Sequence, residues 1–523
     1  MATTYAVVPA TAPAVTPAVD ASASSRLHRP MPSDRLVGWL APLAVTLAAA
    51  WLRFNRLSIP NTPASCVQKS NCVFDETYYL KDSYDLLRYG VERNPNGTGP
   101  GFVVHPPLAK WMIAAGQSVF GHNAFGWRFP AAVVGSLAVL MLARSARRLT
   151  RSTLLGSLAG LLLAVDGLEF VQSRLAMLDI FLMFWIVAAF GCLLIDRDVG
   201  RARLAAQLAA GRAPERLRAG VRWWRLGAGG CSGAACACKW SGVYYLVAFA
   251  LLAFAWDVGA RRTAGSRRPF LVAARADLLP TALALVLLPV VVYVASWTGW
   301  FLGNAQTAWD HDRYVRAGQG TLSHAGAVAG GWLRYHWEIY NFHVHLTTKH
   351  HYQSSPWGWL LLARPVLYYA TYPKAGSMGC TTSSGCASII VDLGTPAIWW
   401  ASIPALVTSA WLWVSRRDWR AAAVLAGTGV GLLPWFATPD RTMFFFYALP
   451  ALPFLILAIT LCAGLALGDG HVNSGRRLWG AVAVGAYALL VVVNFFYLYP
   501  ALAAKVIPYT NLQARMWFGS WWL

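Results

Sequence analysis

LGAGGCSGAACACKWSGVYYLVAFALLAFAW, residues 226–256, is an apolar run interrupted by one charged residue, Lys239. A membrane-spanning helix needs about 17 to 25 apolar residues, so this run is long for one span and short for two. The arginines on either side decide between the readings. Arg197, Arg201, Arg203, Arg212, Arg216, Arg218, Arg222 and Arg225 precede it, and Arg261, Arg262, Arg267 and Arg268 follow it. Short arginine-rich loops stay on the cytoplasmic side, and both flanks share that side only if the run crosses twice. Lys239 then falls at the outer edge of the membrane, where an ionisable residue is less costly than at the centre.

The same reasoning extends along the chain. Single apolar segments run near 37–54, 129–142, 154–170, 178–195, 278–297, 397–414, 421–437, 443–467 and 478–497. Further arginine clusters at Arg144 to Arg151, Arg416 to Arg420 and Arg476–Arg477 mark the remaining inner loops. The expected fold is an all-α polytopic membrane protein of about eleven transmembrane helices, with its N-terminus inside and its C-terminus outside. Composition agrees: 57% of the 523 residues are hydrophobic and 13% charged, whereas soluble domains carry about a quarter charged residues. The net charge of +22 is dispersed over short loops rather than gathered into one stripe, so it points to lipid headgroups and not to nucleic acid. Residues 1–36, rich in Ala, Thr, Pro and Ser, read as a disordered cytoplasmic tail, leaving 37–523 as a single transmembrane domain.

Two long segments fall outside, at about 55–128 and 299–396. Each holds a close cysteine pair, Cys66 with Cys72 and Cys380 with Cys386, and an oxidising outer compartment would permit a disulfide at each. Free thiols are the alternative. The other five cysteines lie in apolar stretches and read as small packing residues. Most histidines are also in the outer segments, without a spacing diagnostic of a metal site, so metal dependence is left unassigned.

In the first outer segment, the run from Val73 to Asp82 puts Asp75 and Glu76 at the start of an amphipathic helix too short to span, since Leu80, Tyr84 and Leu87 share a face. Carboxylates there either cap the helix or, held ionised by the helix dipole, accept a proton. A second surface helix is expected over 108–120, because Pro107 suits a first helical position and Leu108, Trp111, Met112, Ala115 and Val119 form one apolar face. His105, just before it, reads by default as a hydrogen-bonded structural residue.

Several stretches together resemble the protein O-mannosyltransferases. They are the Asp75–Glu76 pair, HPPLAK from His105 to Lys110, WRFPAAVVG around Arg128 and VQSRLAMLD ending at Asp179. KWSG from Lys239, SSPWGWLLLARPVLYY containing Arg364, and RTMFFFYALPALPF from Arg441 complete the series. The likeness runs in order through nearly the whole chain, and bacterial, actinobacterial-type members are closest in shape because the second outer segment is too small for the soluble module of eukaryotic relatives. One departure is His350-His351-Tyr352, where the family pattern has His-Pro-Tyr.

The resemblance implies a C-type glycosyltransferase fold and transfer of mannose from a polyprenyl-phosphate carrier to Ser or Thr hydroxyls of secreted or membrane proteins. Transfer would occur with inversion, on the extracytoplasmic face of the cell membrane. Asp75 would be the general base with Glu76 beside it. A phosphate leaving group calls for cations, for which Arg128, Lys239 and Arg364 are the candidates. His105, Lys110, Asp179, His350 and Arg441 are further candidates from the matched motifs. No tightly bound cofactor is expected; the partners are the lipid-linked donor, protein acceptors, membrane lipids and, as a further candidate, the secretion machinery. Two other classes fit the composition: a transferase of the same fold acting on a lipid or polysaccharide, and a transporter or flippase, although no internal repeat supports the last.

Overall fold

The computed structural model describes residues 21–63, 73–303, 308–318, 324–468 and 473–521. A short helix α1 (Ala21–Leu27) precedes α2 (Val37–Phe54), α3 (Glu76–Tyr89), α4 (Leu108–Phe120), α5 (Ala124–Thr150), α6 (Thr153–Ala164) and α7 (Gly167–Gln172). The central helices are α8 (Leu178–Ala209), α9 (Trp223–Cys238), α10 (Gly242–Thr263), α11 (Pro269–Ala282) and α12 (Leu288–Ser296), the last two joined by a π-helical turn at Leu283–Leu287. The second outer segment carries α13 (Thr298–Phe301), α14 (His311–Gly318) and α15 (His324–Val344). The chain ends with α16 (Pro396–Arg416), α17 (Trp419–Leu432), α18 (Leu452–Leu467), α19 (Ser474–Leu502) and α20 (Tyr509–Gln513).

Among the described residues, nine helical stretches are long and apolar enough to cross a membrane. The shorter α6 and α9 occupy the places of the two other expected spans. The long apolar run breaks where its charge stands: α9 stops at Cys238, Lys239 is extended (φ −157°, ψ 140°), and α10 starts at Gly242. The segment expected at 154–170 is itself broken. Asp166 ends α6 and caps α7 by accepting from the Glu169 amide (3.1 Å), while its other oxygen takes the Thr395 amide (3.1 Å) and the Trp399 indole N–H (2.9 Å).

The expected helical fold carries one addition: β1 (Val366–Thr371), β2 (Cys386–Asp392) and β3 (Ile507–Pro508) form a small antiparallel sheet in the order β1-β2-β3. Aromatic and β-branched residues such as Tyr368, Tyr369, Ile389, Ile390 and Val391 favour it. A disulfide joins Cys380 to Cys386 in the loop entering β2, whereas Cys66 and Cys72 lie outside the described residues. Within the segment expected to be a disordered tail, residues Ala21–Leu27 form α1. Leu27 is buried with Leu204, Leu208 and Leu217, and Asp34 is held by Arg147 (2.7 Å) and Thr153 (2.6 Å).

The bundle packs through small residues, as expected where lipid offers no hydrophobic contrast. A Cβ added at Gly229 of α9 would lie 1.7 Å from the Ala284 carbonyl oxygen, and one at Gly233 would lie 2.7 Å from the Pro289 backbone. Gly229→Ala is therefore expected to push α9 off its neighbour at a cost of about 1–3 kcal/mol. Thermal unfolding in detergent reads this as a lower midpoint, and an unchanged midpoint would mean that the helices are not in close contact. Helices α8 to α11 are tied by buried ion pairs, with Arg225 reaching Asp196 (3.0 Å) and Asp257 (2.7 Å), and Arg261 reaching Asp277 (2.8 Å). Such pairs are costly to break singly, so they fix the relative register of these helices.

Candidate active site

The two adjacent carboxylates at the start of α3 have opposite fates. Glu76 is buried and takes a two-pronged contact from Arg128, Nε to Oε1 at 2.8 Å and Nη2 to Oε2 at 2.7 Å, while Oε1 also accepts the Ala176 amide at 3.0 Å. Arg128 donates its remaining Nη1 to the carbonyls of Leu57 (3.1 Å) and Pro60 (2.9 Å). Expected beside the donor phosphate, Arg128 instead is fully buried, its donors spent on protein groups. It is a positioning residue that anchors the start of α3 to α5 and to the chain after α2.

Asp75, one residue earlier, makes no side-chain cap and no ion pair among the described residues. Its neighbour Phe74 donates its amide to the Tyr368 carbonyl (3.0 Å), stacks on Tyr368 (5.1 Å) and meets Phe444 edge-on (5.6 Å). Strand β1 and the turn before α18 thus hold the peptide while leaving the Asp75 carboxylate uncommitted. Burial pushes its pKa up from 3.8 to about 6, with the Lys239 charge pulling down and that of Asp179 pushing up.

Lys239, at the break between α9 and α10, places Nζ 2.9 Å from each carboxylate oxygen of Asp179 in the first turn of α8. It also lies over the Tyr447 ring at 4.6 Å. Beside it opens a cavity of about 750 Å³. Its lining is in part polar and aromatic, with His105, Lys239, Trp240, His336, His343, Trp435, Arg441 and Tyr447, and in part apolar, with Val243, Leu246, Val290 and Val294 of α10 and α12.

Arg441 is the cation this arrangement brings forward. Its Nη2 lies 3.2 Å from His343 Nδ1, its guanidinium carbon is 5.6 Å from the ring centres of both Trp435 and Tyr447, and its Nε is buried without a partner among the described residues. His343 Nε2 in turn donates to the Val104 carbonyl at 2.6 Å, leaving Nδ1 as the acceptor. Burial holds His343 down at about 4 and His105 well below its ordinary value, so both rings are neutral near pH 7. His105 packs 5.3 Å from His343 and 6.4 Å from Tyr79, which joins the cavity to α3.

Three other candidates stand apart from the cavity lining. Lys110 is buried between Asp82 and Glu92, each at 3.0 Å, and clamps α3 to α4 and the loop between them. Arg364, expected at the donor phosphate, holds the His351 carbonyl (2.8 Å) and the Ser520 carbonyl (3.0 Å), tying two loops together. His350 is exposed, its ring 5.7 Å from Phe74 and 5.1 Å from Phe444, so it flanks the Asp75 peptide. Tyr79, Trp240, Trp435 and Tyr447 join the site only through the fold. Tyr79, one helical turn from Asp75, was the one with a local signal. Among the described residues, no group of three or more His, Cys, Asp or Glu side chains is gathered as a metal site.

Known proteins match this arrangement along almost its whole length. Residues 43–301 fit the family model described as dolichyl-phosphate-mannose-protein mannosyltransferase, and residues 328–521 fit the C-terminal four-span region of protein O-mannosyltransferases. A Mycobacterium tuberculosis polyprenol-phosphate-mannose–protein mannosyltransferase is 42% identical over 94% of this chain and 93% of its own length. The Corynebacterium glutamicum protein of the same name is 35% identical over 91% and 92%. Among solved structures, the Saccharomyces cerevisiae protein O-mannosyltransferase complex bound to the sugar donor superposes with a TM-score of 0.70 at 14% identity, covering 96% of this chain and 94% of that one. With two family models spanning the bundle and relatives this similar from end to end, the chain belongs to the protein O-mannosyltransferase family.

Proposed function

We propose that this chain transfers mannose from a polyprenyl-phosphate carrier to Ser or Thr hydroxyls of proteins, by a single displacement that inverts the anomeric carbon. The observation that carries this reading is the uncommitted Asp75 carboxylate, within electrostatic reach of Lys239, whose cavity is lined by cations and apolar side chains together. Asp75 takes the hydroxyl proton as the acceptor oxygen attacks the sugar. The leaving phosphate departs as an anion toward Arg441 and Lys239, and charge-assisted bonds there offset the charge that develops. Asp179 orients Lys239 by its two-oxygen contact. The prenyl chain lies against Val243, Leu246, Val290 and Val294, in reach of lipid. Family membership favours this reading over the transporter and over a lipid or polysaccharide acceptor.

Arg441→Ala and Lys239→Ala are each expected to raise the donor KM by about ten-fold or more, since a charge-assisted bond contributes roughly 1.5 to 3 kcal/mol. Transfer of radiolabel from polyprenyl-phosphate mannose to a Ser/Thr-rich peptide provides the measurement. Purified protein given GDP-mannose alone is expected to be inert, and transfer from it in lipid free of polyprenyl phosphate would overturn the donor assignment.

Orientation follows from the arginine-rich loops: N-terminus in the cytoplasm and Asp75 on the outer face of the cell membrane, where secreted acceptors pass. A cysteine introduced at position 212 should resist an impermeant thiol reagent in intact cells, in a background stripped of native thiols. Labelling there would reverse the orientation.

A further inference from the structure

A second cavity, of about 420 Å³, opens at the other end of the bundle between the end of α1 with the residues following it, the end of α5, the inner part of α8 and the turn from α16 to α17. Its wall carries eight arginines and two aspartates. The aspartates are already engaged, Asp198 by Arg148 (2.8 Å) and Arg151 (2.9 Å), and Asp418 by Arg420 (2.6 Å). Arg197 has a side chain only 9% exposed, meets Asp198 no closer than 3.5 Å, and lies 3.4 Å from the centre of the Trp419 ring. Its Nε, and that of Arg201 one turn further on, are buried without a partner among the described residues. Arginines outnumber aspartates eight to two in the wall of this open space, an excess of positive charge that an anion would neutralise.

Depth along α8 indicates which anion. Arg197 follows Asp179 by 18 residues (197 − 179) on this one helix, roughly 27 Å at about 1.5 Å per residue. That is close to the about 30 Å of a bilayer's hydrocarbon core. If the Lys239 cavity sits at the headgroup level of one leaflet, the arginine cavity sits at the headgroup level of the other. Next to it, Trp411, Trp413 and Val414 at the end of α16 are exposed apolar residues on which acyl chains can lie.

We propose that this cavity binds the phosphate of an anionic phospholipid headgroup, with Arg197 and Arg201 as its ligands, in the leaflet opposite the Lys239 cavity. The guanidinium groups donate to the phosphate oxygens, and the stack on Trp419 holds the Arg197 plane in place while doing so. Because the chain after α1 forms part of the wall, an occupied site also fastens the N-terminal segment to the bundle.

The full chain, purified into nanodiscs holding equal phosphatidylglycerol and phosphatidylcholine, is examined by native mass spectrometry for retained lipid. Wild type should retain phosphatidylglycerol over phosphatidylcholine by about ten-fold or more, as several arginines acting together imply. The Arg197→Gln/Arg201→Gln double variant should lose that preference. Arg29→Glu alters an exposed position on the cavity wall and leaves the packed core alone, and it should reduce the preference several-fold with mannosyl transfer in pure phosphatidylcholine unchanged. No preference in wild type, or an undiminished preference in both variants, overturns the proposal. Loss of all retained lipid on adding millimolar inorganic phosphate would make this a free-phosphate site and equally overturn the assignment to lipid.

Discussion

Asp75→Asn is expected to remove mannosyl transfer by about 100-fold to 10,000-fold, the usual range for a general base, while leaving the fold and donor binding intact. The amide keeps the shape of the carboxylate and cannot accept the proton. Because nothing among the described residues is bonded to the Asp75 side chain, the substitution breaks no contact that holds α3 in place. With the pKa raised to about 6, wild-type turnover should rise with pH through that value and then level off, since the deprotonated form is the active one. The same shift fixes the sign of the stability effect. A carboxyl whose folded pKa exceeds its unfolded value contributes stability at low pH that is lost as pH rises from about 4 through about 6. Asp75→Asn should accordingly be at least as stable as wild type at pH 7. Near-normal turnover by this variant, with a flat pH profile between 5 and 7 in wild type, would leave Asp75 without a role.

Arg128→Met should cause the largest loss of stability, about 3–5 kcal/mol, because it strands the Glu76 carboxylate in the interior without its counter-charge. The pair is 0% and 1% exposed, so solvent cannot take the place of the lost partner. Glu76→Gln should cost less alone, as the amide can still accept the Ala176 amide and one donor of Arg128. Combining the two changes should restore part of the loss, since the double variant buries no charge at this point. Thermal unfolding of the two single variants and the double in one detergent supplies the cycle. A double variant whose loss equals the sum of the two single losses would mean that the two side chains act independently. A rise in donor KM without a fall in stability would return Arg128 to the phosphate.

Much of the bundle could be read from local order. Lys239 in an apolar run, with arginines on both sides, required a turn at that point, and the chain does break there between Cys238 and Gly242. Pro107 and the apolar face after it gave the bounds of α4 because helix start signals and periodicity act over a few residues. The helix that ends at Leu27 and the strand added by Ile507–Pro508 were not legible, since each depends on a surface supplied by distant chain.

The site divides in the same way. Residue types and motif order marked Asp75, Glu76, Lys239 and Arg441 as chemically interesting, and the resemblance gave them a shared purpose. What none of this could say is which of two neighbouring carboxylates remains free. That depends on Arg128, 52 positions from Glu76, just as the pairing of Lys239 depends on Asp179 at 60 positions and the contact of Arg441 with His343 spans 98. The sequence by itself determined the number of apolar segments, the two surface helices and the short list of charged residues, because hydrophobic length, helix periodicity and charge cost are local properties. Only the tertiary structure decided that Arg128 and Lys110 are spent on internal partners, that Arg441 faces the cavity and that Asp75 is left uncommitted, because a buried charge takes its role from whatever partner the fold brings within about 3 Å of it.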